Sequence, residues 1–190
     1  MERHVITIVS GLPRSGTSMM MKMLEAGGMP LLTDGIRTPD EDNPKGYYEF
    51  ERVKQIEHDK AWLEDARGKA VKMIAALLKH LPPEYEYEVI FMRRNFAEVL
   101  ASQRRMLDRR GEATDTVPDE RMAELFERHV EQVEGWLAKQ ENMAILYVDH
   151  GDVLQDPKGE AQRISNFLSC TLHVPDMAAV VDRSLYRQRQ

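Results

Sequence analysis

The sequence predicts an α/β fold with three layers, in which a mostly parallel sheet of about four to five strands is flanked by helices. One observation is that short apolar, β-branched runs alternate along the chain with longer segments of helical periodicity. Another is that the first such run is followed by a glycine-containing loop and then by a helical pattern. We expect the 190 residues to form a single domain, 1–190, which is large enough to bury a core.

The predicted strands are short and end at glycine, proline or charged residues. They are Val5–Val9, Ala70–Ile74, Glu88–Met92 and Met143–Val148. The predicted helices are Ser18–Glu25, Phe50–Ala66, Phe96–Leu107, Glu120–Gln140 and one that begins at Asp156-Pro157. The helix over Glu120–Gln140 has the strongest amphipathic pattern, and polar loops are predicted over residues 33–46 and 108–118.

Composition excludes several classes of protein. The formal net charge of −6 argues against general binding to nucleic acid or to anionic membranes, so an anion site must be a local basic pocket. Cys170 is the only cysteine, so no internal disulfide is expected. No apolar stretch approaches the ~18 residues of a membrane span. Because no signal peptide precedes the first strand, we expect a cytoplasmic enzyme or binding domain.

The stretch GLPRSGTS, Gly11–Ser18, almost matches the phosphate-binding loop G-x-x-x-x-G-K-[ST], with threonine in place of lysine. A preceding strand and a following helix make the match meaningful and indicate a P-loop NTPase-like fold. The loop amides and the helix N-terminus can bind phosphate or sulfate oxygens, and Arg14 supplies a cation from within the loop. The alternative is a simple glycine turn capped by Ser15 or Thr17, with Arg14 in solvent.

Charged residues also follow the other predicted strands. Arg93 and Arg94 come after the third strand, and Asp149 follows the fourth. Ligands of parallel α/β sheets bind at the carboxyl ends of the strands, so these residues and the loop are expected to converge at one edge.

The loop resembles the 5′-phosphosulfate loop of sulfotransferases that use 3′-phosphoadenosine 5′-phosphosulfate (PAPS). The resemblance assigns cofactor contacts to Pro13, Arg14, Ser15, Gly16, Thr17 and Ser18. A second family motif is an arginine after a strand with a serine eight residues later, both of which bind the 3′-phosphate. Arg94 and Ser102 have that spacing. Residues 43–49 and 147–157 resemble further segments of bacterial members.

The sequence also departs from the family. The basic, glycine-containing loop that covers the cofactor in cytosolic members is absent, and Arg187, with Arg183 and Arg189, is the candidate replacement. A solvated basic tail is the alternative. At the second strand, Lys72 is present but the histidine that accompanies this lysine in those members is not. The chain is short for the family, so the acceptor pocket is expected to be reduced or completed by a partner.

The implied reaction moves a sulfuryl group from PAPS to a hydroxyl or amine and leaves 3′-phosphoadenosine 5′-phosphate (PAP). Arg14 and Lys72 are the candidates for stabilising the developing charge, and Glu49 is the candidate base. His58 and His80 are weaker candidates for the base. No metal is expected to be required, and no cysteine/histidine spacing indicates zinc.

Two other functions stay open from the residues alone. Ile145–Asp149 resembles the apolar strand and aspartate that hold magnesium in P-loop kinases and NTPases, and a non-catalytic nucleotide-binding module is the third interpretation. The acceptor is expected to be a small molecule or a glycan, with Tyr47, Tyr48 and Trp62 as candidate pocket residues whose alternative is the core. Homo-oligomerisation is left open.

Overall fold

The computed structural model describes residues 5–36, 47–111 and 117–182, and within them it contains one four-stranded sheet. The strands are β1 (Ile6–Gly11), β2 (Ala70–Lys72), β3 (Tyr87–Arg93) and β4 (Met143–Asp149). All neighbours are parallel, in the order β2-β1-β3-β4. The predicted α/β fold class and the four predicted strands are confirmed.

Six α-helices lie in the described part of the chain. They are α1 (Thr17–Ala26), α2 (Phe96–Arg110), α3 (Asp119–Leu137), α4 (His150–Gln155), α5 (Pro157–Phe167) and α6 (Val174–Ala179). Four match predicted helices closely, and the Asp156 carboxylate caps α5 by accepting a hydrogen bond from the Gly159 amide. The short helices α4 and α6 were not predicted, because six residues contain too few turns for a periodic pattern.

The predicted helix over Phe50–Ala66 is wrong. This segment forms two 3₁₀ turns, Glu51–Gln55 and Ala61–Leu63, with Asp59 between them. The Asp59 carboxylate accepts hydrogen bonds from the Ala61 amide and from the Arg52 side chain. Such local side-chain bonds to the backbone compete with the helical pattern and explain the interruption.

Hydrophobic residues pack on both faces of the sheet and produce the predicted three layers. One face, which includes Ile8 and Phe91, packs against the 3₁₀ segments and α3. The other face, which includes Val9 and Ile90, packs against α1, α5 and α6. The described residues contain no helix long and apolar enough to cross a membrane.

The register of the parallel strands brings their carboxyl ends together at one edge. Gly11 is paired with Met92, so the loop after β1 begins beside the end of β3. Val9 is paired with Lys72, and Arg93 with Asp149. The end of every strand therefore contributes to the same surface, as expected for a ligand site in this type of sheet.

Trp62 belongs to the core and does not line a surface pocket. Its side chain is fully buried, lies edge-on to Phe50 with a centroid distance of 5.6 Å, and donates its indole N–H to the Asp59 carbonyl. The interpretation of Trp62 as a pocket residue is therefore wrong, and the alternative that it belongs to the core is confirmed.

Trp62→Ala should lower the free energy of unfolding by about 3–5 kcal/mol, because it deletes a fully buried aromatic side chain and leaves a cavity. Urea unfolding at neutral pH measures this loss. The exposed Ile74→Ala should cost far less in the same assay. Equal, small losses for both variants would contradict the placement of Trp62 in the core.

Candidate active site

The loop between β1 and α1 is built around two glycines that no other residue can replace without rearrangement. Gly11 has φ +148°, and a Cβ there would lie 2.6 Å from the carbonyl oxygen of Met92. Gly16 has φ +101°, and its Cβ would lie 2.7 Å from Cδ2 of His150. The spacing of these glycines in the sequence thus reflects two close approaches of the loop, one to the end of β3 and one to the start of α4.

The loop is closed by Ser15, and no side chain caps the start of α1. The Ser15 hydroxyl donates to the carbonyl of Leu12 over 2.7 Å, so it closes the turn. Gly16 is the N-cap residue, no side chain caps the helix, and its first turn contains no acidic residue. Helix α1 therefore presents its positive end to the sheet edge. The alternative of a glycine turn closed by Ser15 is correct for the turn, but its placement of Arg14 in solvent is wrong, because Arg14 Nε donates to the Ser102 hydroxyl.

Arg14, Arg94, Glu98 and Ser102 form one set of contacts, which we call the arginine cluster. Nε of Arg14 donates to the Ser102 hydroxyl over 2.9 Å, and Nη1 of Arg94 donates to the Arg14 carbonyl over 3.0 Å. Glu98 accepts from Nε of Arg94 at 2.9 Å. The side chains of Arg94 and Glu98 are only 10% and 17% exposed. The spaced arginine and serine thus meet at the loop, with Arg14 between them.

The two consecutive arginines after β3 have different environments. Arg93 makes a paired contact with the carboxylate of Glu134 on α3, at 2.9 and 2.8 Å. Its guanidinium also lies over the Tyr147 ring, 3.9 Å from the centroid. Arg93 thus ties the sheet to α3, whereas Arg94 is directed to the loop.

Ser18, Tyr47, Glu49 and Lys72 form a second set of contacts on the other side of the loop, which we call the lysine cluster. Lys72 Nζ donates to the Tyr47 carbonyl, lies 3.4 Å from the Ser18 hydroxyl and lies 3.8 Å from Oε1 of Glu49. The Ser18 hydroxyl also donates to the Tyr47 carbonyl over 3.3 Å. The candidate base and the candidate lysine are therefore brought together at the first turn of α1.

Tyr48 shapes the backbone of this second cluster. It has φ +53°, a conformation that non-glycine residues rarely adopt. Its hydroxyl donates to the Glu25 carboxylate over 3.0 Å. Burial, and then that carboxylate, raise the pKa of Tyr48 to about 12. The positive φ places the Tyr47 carbonyl and the Glu49 side chain on the same lysine.

The profile described as "Sulfotransferase domain" matches residues 5–189. The chain belongs to the sulfotransferase family. No curated protein sequence matches the chain significantly.

Solved sulfotransferases share the fold of this chain. The sulfotransferase domain of the Synechococcus PCC 7002 olefin synthase is 15% identical, with a TM-score of 0.58 over 98% of this chain and 80% of that one. A mouse sulfotransferase complexed with PAP is 16% identical, with a TM-score of 0.54 over 94% of this chain and 63% of that one. Retinol dehydratase with androsterone and PAP is 18% identical, with a TM-score of 0.52 over 95% and 64%. The sulfotransferase described here thus spans less than two thirds of the length of the last two.

Some predicted site residues stand apart from these clusters. Pro13 is exposed at the tip of the loop, and Thr17 is half-buried in the first turn of α1. His58 is exposed in the turn after the first 3₁₀ segment, and His80 is half-buried. The candidate Arg187 lies outside the described residues, as do Arg183, Arg189 and Asn43–Gly46. Across residues 5–36, 47–111 and 117–182, no group of three or more His, Cys, Asp or Glu is placed to hold a metal ion.

Two site residues of this sulfotransferase were missed by the sequence reasoning. Glu98 lies four residues after Arg94, a spacing that places both on one face of a helix start and is readable from the sequence. His150 follows β4 and is 8% exposed, with its ring against Gly16. Burial, and then the Arg94 cation, lower the pKa of His150 to about 4. The feature of the sequence that could have indicated His150 is its position directly after a strand, β4.

The stability of the ligand-free protein should fall as the pH falls below about 6.5. The folded pKa of His150, about 4, lies below the ordinary value of 6.5, so between these values the unfolded chain binds the additional proton. The stabilisation is present above pH 6.5 and is lost as the pH falls toward 4. From pH 7.5 to pH 5 this loss is about 2 kcal/mol.

Urea unfolding of wild type and His150→Gln at pH 7.5 and pH 5 measures this effect. The variant should lose about 2 kcal/mol less than wild type over that interval. His173→Gln, at an exposed histidine paired with Asp176, is the matched control and should retain most of the wild-type loss. An identical loss in His150→Gln and wild type would contradict the assignment.

Proposed function

We propose that the 190 residues act as one sulfotransferase domain that moves a sulfuryl group from PAPS to a hydroxyl or amine of a small-molecule or glycan acceptor. The observation that carries this proposal is the arginine cluster, in which Arg94 and Ser102 meet the loop at Arg14. A cation and a hydroxyl beside an anion-binding loop suit a ligand with a second, separate phosphate. PAPS has such a phosphate at its 3′ position and ATP does not.

The chemistry of the donor groups fits PAPS. Three cations, Arg14, Arg94 and Lys72, come from three different segments and flank the uncapped start of α1. Hydroxyls of Ser18 and Ser102 lie on the two sides of the loop. Charge-assisted hydrogen bonds of this kind are the strongest that a protein offers to phosphate or sulfate oxygens.

The residues of the two clusters divide three tasks in the proposed mechanism. PAPS, when bound, supplies the sulfuryl group. Arg94 and Ser102 bind the 3′-phosphate and thereby fix the position of the nucleotide, while the loop amides and α1 bind the oxygens of the phosphosulfate. Arg14 and Lys72 stabilise negative charge that develops on the bridging oxygen of the leaving phosphate.

Glu49 completes the site on the acceptor side. Its carboxylate lies 3.8 Å from Lys72 Nζ, so the ion pair holds the candidate base close to the cation that faces the donor. Glu49 accepts the proton of the acceptor hydroxyl or amine during transfer. Solved neighbours contain PAP, and one contains androsterone in addition, which supports a nucleotide donor and a small-molecule acceptor here.

Ligand-dependent thermal shift tests the choice of nucleotide. PAP should raise the melting temperature without magnesium, because fixed cations neutralise its phosphates, and added EDTA should not change the shift. ATP with magnesium should produce a much smaller shift. A shift that depends on magnesium and favours ATP would replace this proposal with a P-loop kinase. A screen with labelled PAPS then identifies the class of acceptor.

Arg94→Ala should weaken PAP binding by about 10- to 150-fold, which corresponds to the loss of about 1.5–3 kcal/mol from a charge-assisted phosphate contact. Binding of adenosine 5′-phosphosulfate, which has no 3′-phosphate, should weaken much less. Calorimetric titration of both ligands measures the difference. Arg93→Ala is the matched control, because that neighbouring arginine is held by Glu134 and Tyr147. Equal losses for both ligands would remove Arg94 from the 3′-phosphate site.

Glu49→Gln should reduce turnover by about 10²- to 10⁴-fold, because the amide keeps the shape of the side chain but does not accept a proton. The affinity for PAP and the melting temperature should change little. Glu51→Gln, on the same segment but exposed and paired with Lys54, should keep nearly full turnover. Wild-type turnover of Glu49→Gln on a confirmed acceptor would exclude Glu49 as the base.

A further inference from the structure

His150 lies where two parts of the proposed nucleotide site, the phosphate loop and Arg94, come close to the end of β4. The register pairs Arg93 with Asp149, so the next residues on the two strands, Arg94 and His150, leave the sheet side by side. The His150 ring lies against Gly16 at the start of α1 and is 8% exposed. A buried imidazole thus lies between the phosphate loop and the arginine that follows β3.

Both burial and charged groups act on the His150 ring. Burial disfavours its protonation most, the Arg94 cation disfavours it further, and the Glu98 carboxylate on α2 favours it. The phosphate loop contributes Gly16, which lies against the ring, and Arg14, whose carbonyl accepts from Arg94. The neighbouring residue of β4, Asp149, is exposed. Arg94 is therefore the charge whose effect on the ring a bound anion can offset.

We propose that His150 is part of the nucleotide site and takes up one proton when the anionic cofactor binds. This inference rests on the proposed function. A phosphate at Arg94 offsets the cation that disfavours the imidazolium, and further anionic oxygens at the α1 terminus add attraction. The proton leaves a hydronium ion or a buffer acid in solvent and binds the unprotonated nitrogen of the neutral imidazole, so that both ring nitrogens carry a proton. No bond of the cofactor forms or breaks.

Proton uptake couples the affinity for the cofactor to pH. Because the pKa of His150 rises on binding, the site gains affinity as the pH falls through the bound value, by up to about tenfold per pH unit. The phosphates of the nucleotide also titrate, with a pKa near 6. A pH profile of wild type alone would therefore combine the protonation of His150 with the protonation of the nucleotide phosphates. Comparison with a variant that lacks the imidazole separates them.

Isothermal titration with PAP at pH 6, in two buffers of different ionisation enthalpy, counts the protons taken up on binding. Wild type should take up about 0.5 to 1 more proton than His150→Gln, since only one imidazole is removed. His173→Gln, at an exposed position, should match wild type. A merely structural histidine would leave the proton count of the variant unchanged.

The wild-type protein provides a second measurement that does not depend on a buried substitution. Histidine ring NMR, assigned through single substitutions of the other five histidines, should show the His150 ring neutral at pH 6 alone and charged with saturating PAP. Tight PAP binding with equal proton counts, or with a ring that stays neutral, overturns the inference and leaves the proposed function intact. No binding of PAP to wild type overturns the proposed function itself.

Discussion

The hydrogen bond from the Arg94 side chain to the Arg14 carbonyl joins the loop after β1 to the segment after β3. It fixes a loop residue with φ +69°, a backbone conformation that is unfavourable for arginine. Glu98 holds the same guanidinium from the opposite side. With Arg14 fixed in this way, its side chain reaches Ser102, and the start of α1 points to the open edge. The contacts of the arginine cluster depend on this connection.

Sheet order determines which groups surround the loop. Because β1 lies between β2 and β3, the loop that follows it has Lys72 on one side and Arg94 on the other. A parallel sheet in this order places the lysine cluster and the arginine cluster on opposite flanks of α1. The residues proposed to bind the 3′-phosphate and the proposed base thereby lie on different sides of the loop, and the lysine cluster contacts the first turn of α1 at Ser18.

The sequence was sufficient to predict the fold and several of the groups that lie at the loop. Alternating strand and helix patterns predicted the sheet, and the spacing of Arg94 and Ser102 predicted two residues that meet at the loop through Arg14. Their roles in binding stay predictions. The 3₁₀ segments were missed, because the apolar spacing around Trp62 fits a helix while the interruption arises from hydrogen bonds of Asp59.

His150 was missed for a different physical reason. A histidine at the end of a strand has no periodic pattern that reveals a function, and its surroundings come from the register of β3 with β4 and from the position of Gly16. The same holds for the environment of Arg93, which depends on α3, more than forty residues away in the chain, as the contact with Glu134 shows. Such properties follow from tertiary contacts and not from local sequence.

Two of the three cations of the proposed site lie beside a carboxylate, in a chain whose formal net charge is −6. Arg94 is paired with Glu98, and Lys72 lies near Glu49. Partly buried cations without such partners would raise the cost of desolvation in the ligand-free protein. The carboxylates lie on the flanks of the clusters, whereas the uncapped start of α1 has no acidic residue in its first turn. Positive potential is therefore concentrated at the helix terminus, and an arriving phosphate or sulfate group meets it there without displacing a glutamate.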